Sequence, residues 1–141
     1  MSVKKPTIIQ KVIVSATPHE VYDAFVNPEK HSKFTGSRAT GKASVGSSFT
    51  AWDGIIRGKN LELEKDKKIV QEWTTSEWPQ DFPPSRLELR FGGKGDKTEI
   101  TMVHSRIPAN LEAHLKQGWI DFYWEPLKDY FEKAKKIMRT D

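Results

Sequence analysis

The chain has 141 residues, 36% hydrophobic and 11% aromatic, with no cysteine and a formal net charge of +4. That length suits one domain over residues 1–141, its core built from few, large side chains. The absence of cysteine excludes a disulfide framework and thiolate chemistry. Lysines interleaved with acids describe a solvated surface rather than a nucleic-acid footprint.

At the N-terminus, Lys4 and Lys5 lead only into the short run Ile8 to Val14, which does not resemble a signal peptide. No apolar run approaches membrane-spanning length. The expectation is a cytoplasmic protein without nucleic-acid or membrane partners. Thr7 to Ser15 is β-branched and bounded by Pro6 and Pro18, a strand whose two faces are almost equally apolar. Thr17-Pro18-His19-Glu20 carries a capping box with proline at the first helical position, and Val21, Tyr22, Ala24 and Phe25 make the helix amphipathic. Asn27-Pro28 opens a second short helix that ends near Phe34 and Gly36.

From Arg38 the period becomes two. Ser47 to Trp52 reads as a strand, and Asp53-Gly54 as a hairpin turn into Ile55 to Glu64, with Leu61 and Leu63 on one face. Lys65 to Lys67 is a charged turn. Lys68 to Ser76 places Ile69 and Trp73 together, and a proline-rich loop follows from Trp78-Pro79 through Pro84. Arg86 to Phe91 turns Leu87, Leu89 and Phe91 inward. Gly92 to Lys97 is a turn, and Thr98 to Ser105 aligns Ile100, Met102 and His104. Such hairpin-linked strands form an antiparallel meander with one face on the core.

The last stretch, Ala109 to Arg139, is helical. Its apolar residues (Leu111, Leu115, Trp119, Phe122, Tyr123, Leu127, Tyr130, Phe131, Ala134, Ile137 and Met138) recur at threes and fours. A helix of this length runs about 45 Å. Pro126 cannot donate to the carbonyl of Phe122, so a kink or break is expected there. The order predicts an α+β, helix-grip fold. In it a curved antiparallel sheet of about six to seven strands surrounds the long C-terminal helix, with two short helices after the first strand.

Motifs for chemistry are few. Gly92-Gly93-Lys94-Gly95-Asp96 lacks the Lys-Ser/Thr ending and following helix of a phosphate loop, so it reads as a hairpin turn. His104 and His114 do not make a metal site by spacing, and no motif asks for a cofactor. His104 is expected to be a partly buried strand residue and the other histidines to lie on the surface. No serine occupies a nucleophile elbow and no carboxylate pair shares an apolar setting. Asp53 is explained by its turn. Lys133, Lys135, Lys136 and Arg139 complement the helix dipole.

The aromatic residues are the anomaly. Trp52, Trp73, Trp78, Trp119 and Trp124, with Phe91, Phe122 and Tyr123, exceed what a minimal core needs. They either pack sheet against helix or line an incompletely filled hollow. In the second case Trp52, Leu61, Trp73, Phe91, Met102, His104, Trp119, Phe122 and Tyr123 form an apolar pocket, with Arg57, Gln71 or His104 supplying polar contacts.

Several segments together resemble the family named for the activator of heat-shock protein 90 ATPase, within the START-like superfamily. They are Asp53-Gly54 with Gly58, Lys68-Ile69-Val70 with Trp73, Trp78-Pro79, Thr98-Glu99-Ile100, Ser105 to Ala109, Gln117-Gly118-Trp119, and Leu127-Lys128 with Tyr130-Phe131. The resemblance covers nearly the whole chain and implies the helix-grip fold. Eukaryotic co-chaperones of that family carry a separate domain ahead of this one, which a first strand at Thr7 leads us not to expect here. The leading expectation is a non-enzymatic protein binding an apolar small molecule between sheet and helix. The alternative is an interaction module acting on a chaperone ATPase. Turnover, as in some polyketide cyclase relatives, ranks third because no acid–base pair can be named.

Overall fold

The computed structural model describes residues 5–139, and side chains through residue 135. The expected places of Ile137 and Met138 in the apolar stripe, and of Lys136 and Arg139 in the basic last turn, lie outside the described side chains. Strand β1 (Ile8–Val14) is followed by α1 (Pro18–Val26) and α2 (Pro28–Thr35). Then come β2 (Ser48–Ala51), β3 (Ile56–Glu64), β4 (Lys68–Thr75), β5 (Ser85–Lys94) and β6 (Lys97–Ser105). A single 3-10 turn (Ala109–Leu111) enters α3 (Glu112–Trp119), a π-helical turn (Ile120–Trp124) and α4 (Glu125–Arg139).

Local chemistry sets the first helices. The Thr17 hydroxyl accepts from the Glu20 amide at 3.2 Å while the Glu20 carboxylate accepts from the Thr17 amide at 3.0 Å, closing the capping box. Asn27 ends α1 and caps α2, its side-chain oxygen accepting from Glu29 and Lys30. Gly36 terminates α2 in the left-handed region, at φ 77°, where a side chain is disfavoured.

The sheet is one curved, antiparallel layer in the order β1-β6-β5-β4-β3-β2. Strands β2 to β6 are a meander, and β1 returns beside β6 after the two short helices, so the helix-grip expectation holds with six strands. Pairing of Ile8 with His104 and Val12 with Ile100 puts β1 in phase with the inward face of β6. Ile8, Val12 and Val14 are therefore buried and Ile9 and Ile13 exposed, which settles the strand whose faces looked alike. Of the glycine-rich segment expected to turn, Gly92 to Lys94 extend β5 and Gly95-Asp96 alone form the tight turn to Lys97.

One parity expectation fails. Leu61 does not share the inward face with Leu63: it is 37% exposed, whereas Leu63 packs on the core. The register of β3 against β4 slips between Asn60 and Glu62, so Leu61 is the extra residue of a β-bulge and inward parity passes from Asn60 to Leu63.

Nor does the long helix break. Glu125 N–H bonds to the Ile120 carbonyl, five residues back, so the turn before Pro126 opens to π spacing and the helical run continues into α4. That extra residue changes the rotational phase of the rings around it. Trp124 is buried and Phe122 is half exposed, the reverse of their expected places.

Gly58 marks a close approach. A Cβ there would lie 2.0 Å from the Glu72 carbonyl oxygen and 2.6 Å from the Phe49 ring. Gly58→Ala is expected to cost about 3 kcal/mol, as overpacking against backbone does. Urea unfolding measures it, and a wild-type midpoint would contradict this packing.

Candidate functional site

Three aromatic residues of the long helix each donate a hydrogen bond to a different element. Trp119 Nε1–H donates to His104 Nδ1 on β6 at 3.1 Å. The Tyr123 hydroxyl bonds His31 Nε2 on α2 at 3.0 Å, and Trp124 Nε1–H donates to Gln10 on β1 at 2.7 Å. Each imidazole has its tautomer set by its second contact. His31 Nδ1 lies 3.0 Å from the Phe25 carbonyl, which can only accept, so Nδ1 holds the proton and Nε2 receives the Tyr123 hydroxyl. His104 accepts at Nδ1, so its Nε2–H donates to Ser85 Oγ at 2.8 Å, and the Ser85 hydroxyl donates to the Trp73 carbonyl at 2.5 Å.

Burial keeps these groups uncharged. It holds the His104 imidazole down at about 3 and lowers that of His31, against which the Phe25 carbonyl contact acts only partly. Burial likewise raises the Tyr123 phenol, which stays a donor. His104 is thus fully rather than partly buried, and His31 is buried although it was expected on the surface. Asn27-Pro28 starts α2 one turn before His31 and aims it at the core, a placement without a mark in the local pattern.

The Ser85–His104 pair looks like a nucleophile and its base. Its protonation says otherwise. A base needs a free lone pair toward the serine, whereas here that nitrogen carries the proton and the other accepts from an indole. Among the described residues, no group of three His, Cys, Asp or Glu side chains is arranged to hold a metal ion.

Beside these hydrogen bonds lies a cavity of about 270 Å³, between α3, the π turn and the β2–β3 end of the sheet. Its inner wall is Ile56, Trp73, Leu111, Leu115, Trp119 and Tyr123, all buried. Its rim is Trp52, Ile55, Thr75, Glu77, His114, Gly118 and Phe122. Of the residues expected to line a pocket, Trp52, Trp73, Trp119, Phe122 and Tyr123 meet here. His104 stands behind Trp119 and Trp73 and does not line it. Met102 lies in the solid core, Phe91 packs against Tyr22 and Phe25, and Leu61 points to solvent. The polar candidates also lie elsewhere. Arg57 is exposed and folds onto the Gly54 carbonyl, and Gln71 bonds to Asn60 beside a separate space of about 30 Å³, room for one water.

Trp52 is strained as well as central. It and Asp53 both adopt left-handed backbone, at φ 52° and 56°, in a four-residue turn from Trp52 to Ile55 that is centred on Asp53-Gly54 as expected. The Trp52 indole N–H is buried without a partner among the described residues. Such costs, of order 1–3 kcal/mol each, collect at functional sites.

These features define a helix-grip domain holding an apolar cavity between sheet and helix. The chain belongs to the family described as "Activator of Hsp90 ATPase homolog 1-like protein", which matches residues 15–132. It is 34% identical over 139 residues to "Activator of 90 kDa heat shock protein ATPase homolog 1" of Homo sapiens, a match covering 97% of this chain and 41% of that protein. A Dictyostelium discoideum homologue is 30% identical over 95% of this chain and 36% of its own length. The chain therefore spans less than half the length of these curated relatives. Among solved structures, an HSP90 activator from Plasmodium falciparum superposes with a TM-score of 0.76 at 24% identity, over 83% of this chain and 89% of that one. The Aha1 dimer from Colwellia psychrerythraea gives 0.75 at 20%, over 90% and 96%. These structures bear on the fold alone. No described helix is long and apolar enough to cross a membrane.

The buried imidazoles make stability depend on acid. Both are held below the ordinary value of 6.5, so the fold refuses protons that the unfolded chain accepts. Their contribution is complete above about pH 6.5 and is lost as pH falls below it, for His104 down to about 3, at up to about 1.4 kcal/mol per pH unit for each histidine. Urea midpoints should fall between about pH 7 and 5, above the carboxylate range. A flat profile there would mean that the imidazoles are solvated.

Proposed function

We propose that this domain is a non-enzymatic binding protein that takes an apolar small molecule in the cavity between sheet and helix. The observation carrying this reading is the state of the inner wall. It is aromatic and aliphatic, and its donors Trp119 Nε1–H and Tyr123 O–H are spent on His104 and His31. Such a wall offers mostly apolar contact area, with two of its polar donors already bonded, the character of an apolar ligand site. The volume exceeds the 150 Å³ or so that suffices for benzene in an engineered cavity.

Gly118 supports the same reading. Glycine inside a helix costs about 1 kcal/mol relative to alanine. A Cβ at Gly118 would meet only Phe122, at 3.8 Å, so its bare edge leaves the cavity open. Gly118→Leu should fill the space, hold or raise the melting temperature, and abolish binding of a neutral apolar probe such as N-phenyl-1-naphthylamine, followed by probe fluorescence. Undiminished probe binding in that variant would place the site elsewhere. No probe binding by the wild type would remove the reading.

The 34% identity to the human activator homologue favours a second reading, a module acting on an Hsp90 ATPase. Lys65 and Lys67, exposed in the β3–β4 turn, with Lys68 beside them, are its candidate contacts. Steady-state ATP hydrolysis by the chaperone separates the two readings. On the first, the chain gives under about twofold stimulation, and any effect fades as salt screens charge within a Debye length of about 8 Å. Saturable, several-fold stimulation surviving physiological salt would put the co-chaperone role first.

A further inference from the structure

The cavity's polar groups are distributed unevenly. Within it, the heteroatoms of Trp119 and Tyr123 are engaged behind the wall and the buried lining carries no charge, so a ligand's charged head finds no counter-charge there. At the rim stand Thr75, Glu77 and His114. Glu77 and His114 are 60% and 65% exposed, and their 3.6 Å contact spans from the loop after β4 to α3. Among the described residues, Glu77 is the one carboxylate of the lining, and the lining contains no lysine or arginine. The nearby Arg57 is turned onto the Gly54 carbonyl. Two aromatic rings, Trp52 and Phe122, meet edge to face at 5.2 Å on the same rim.

A carboxylate on the same rim as aromatic rings is a setting for a cation. Ring quadrupoles attract an ammonium held within about 6 Å, and a carboxylate adds a charge-assisted hydrogen bond. Glu77 repels an anion there, against which the lining sets the neutral indole N–H of Trp52 and no lysine or arginine. We propose that the cavity selects amphiphiles with a cationic head over carboxylates of the same shape, the apolar body inside and the ammonium at Glu77. This rests on the cavity being a ligand site, and it names the chemical class of that ligand.

The test is a matched series sharing one body: 2-(1-naphthyl)ethylamine, 2-(1-naphthyl)ethanol and 1-naphthylacetic acid, titrated calorimetrically into the full chain at about pH 8 and low salt. The amine should bind on the order of tenfold tighter than the acid, with the alcohol between, a ratio in keeping with an exposed charge contact. About 0.5 M salt should shrink the amine–acid gap, because the rim charge is solvent-screened. Glu77→Gln should bring the amine-to-alcohol affinity ratio to about one, as only the charged head loses its partner. Acid binding equal to or tighter than amine, or a ratio unmoved by Glu77→Gln, overturns the selectivity while leaving the cavity a ligand site. Binding by none of the three overturns the cavity reading and the selectivity with it. Gly118→Leu, losing all three together, ties the heat to this cavity, and heat that persists in that variant counts against the proposal.

Discussion

A missing N–H organises the long helix. Pro126 cannot donate to the turn before it, and the chain answers with one π-helical turn instead of a break. In a regular α-helix five residues carry a side chain roughly 140° past a full turn. In the π turn the same five residues nearly close it, so Trp124 returns to the face of Trp119 and stacks on it at 5.3 Å. Phe122 is swung outward by the same rotation. Which rings face the sheet, and which stands at the cavity rim, depends on that one proline.

The three inward rings then act as a tripod. Trp119, Tyr123 and Trp124 donate to β6, α2 and β1 in turn, so the helix is fixed against both the sheet and the helix pair. Apolar packing alone would tolerate sliding, because burial has no direction. Hydrogen bonds in a low-dielectric interior have direction and are costly to leave unmade. Both imidazoles must be neutral for this, since a protonated nitrogen donates and cannot receive an indole or a phenol. Burial supplies that condition.

Much of this could be read along the chain. Capping boxes and prolines are local signals, and the structure has the two short helices where Thr17 and Asn27 put them. Alternation in β5 and β6 is strict because one face is core and the other water. What escaped was relational. The β3 bulge depends on register against β4, so Leu61 looked equivalent to Leu63. His31 lies among Glu29, Lys30 and Lys33, and only contact with Phe25 and Tyr123, 92 residues away in the last case, turns it inward. Phe91 and Met102 share the inward face of the sheet with Trp73, yet they lie under α1 and the core rather than under the hollow. Parity identifies a face and is silent on position along it.

The same polar contacts bear on why the hollow stays unfilled. Apolar side chains next to a void relax into it where they can, and the cost of a cavity depends on how far that collapse proceeds. Trp119 and Tyr123 cannot lean into theirs without giving up their bonds to the buried His104 and His31. Trp73 is held from the other side, stacked on Trp119 at 5.6 Å with its carbonyl taken by Ser85. Gly118 supplies no side chain to fill the gap, and the strained Trp52 keeps the facing turn in place. A core selected only for density would favour a larger residue at 118 and a freely packing ring at 119. In this domain polar bonds hold large rings at the edge of a hollow that no side chain fills, and the hollow is a consequence of how the helix is pinned.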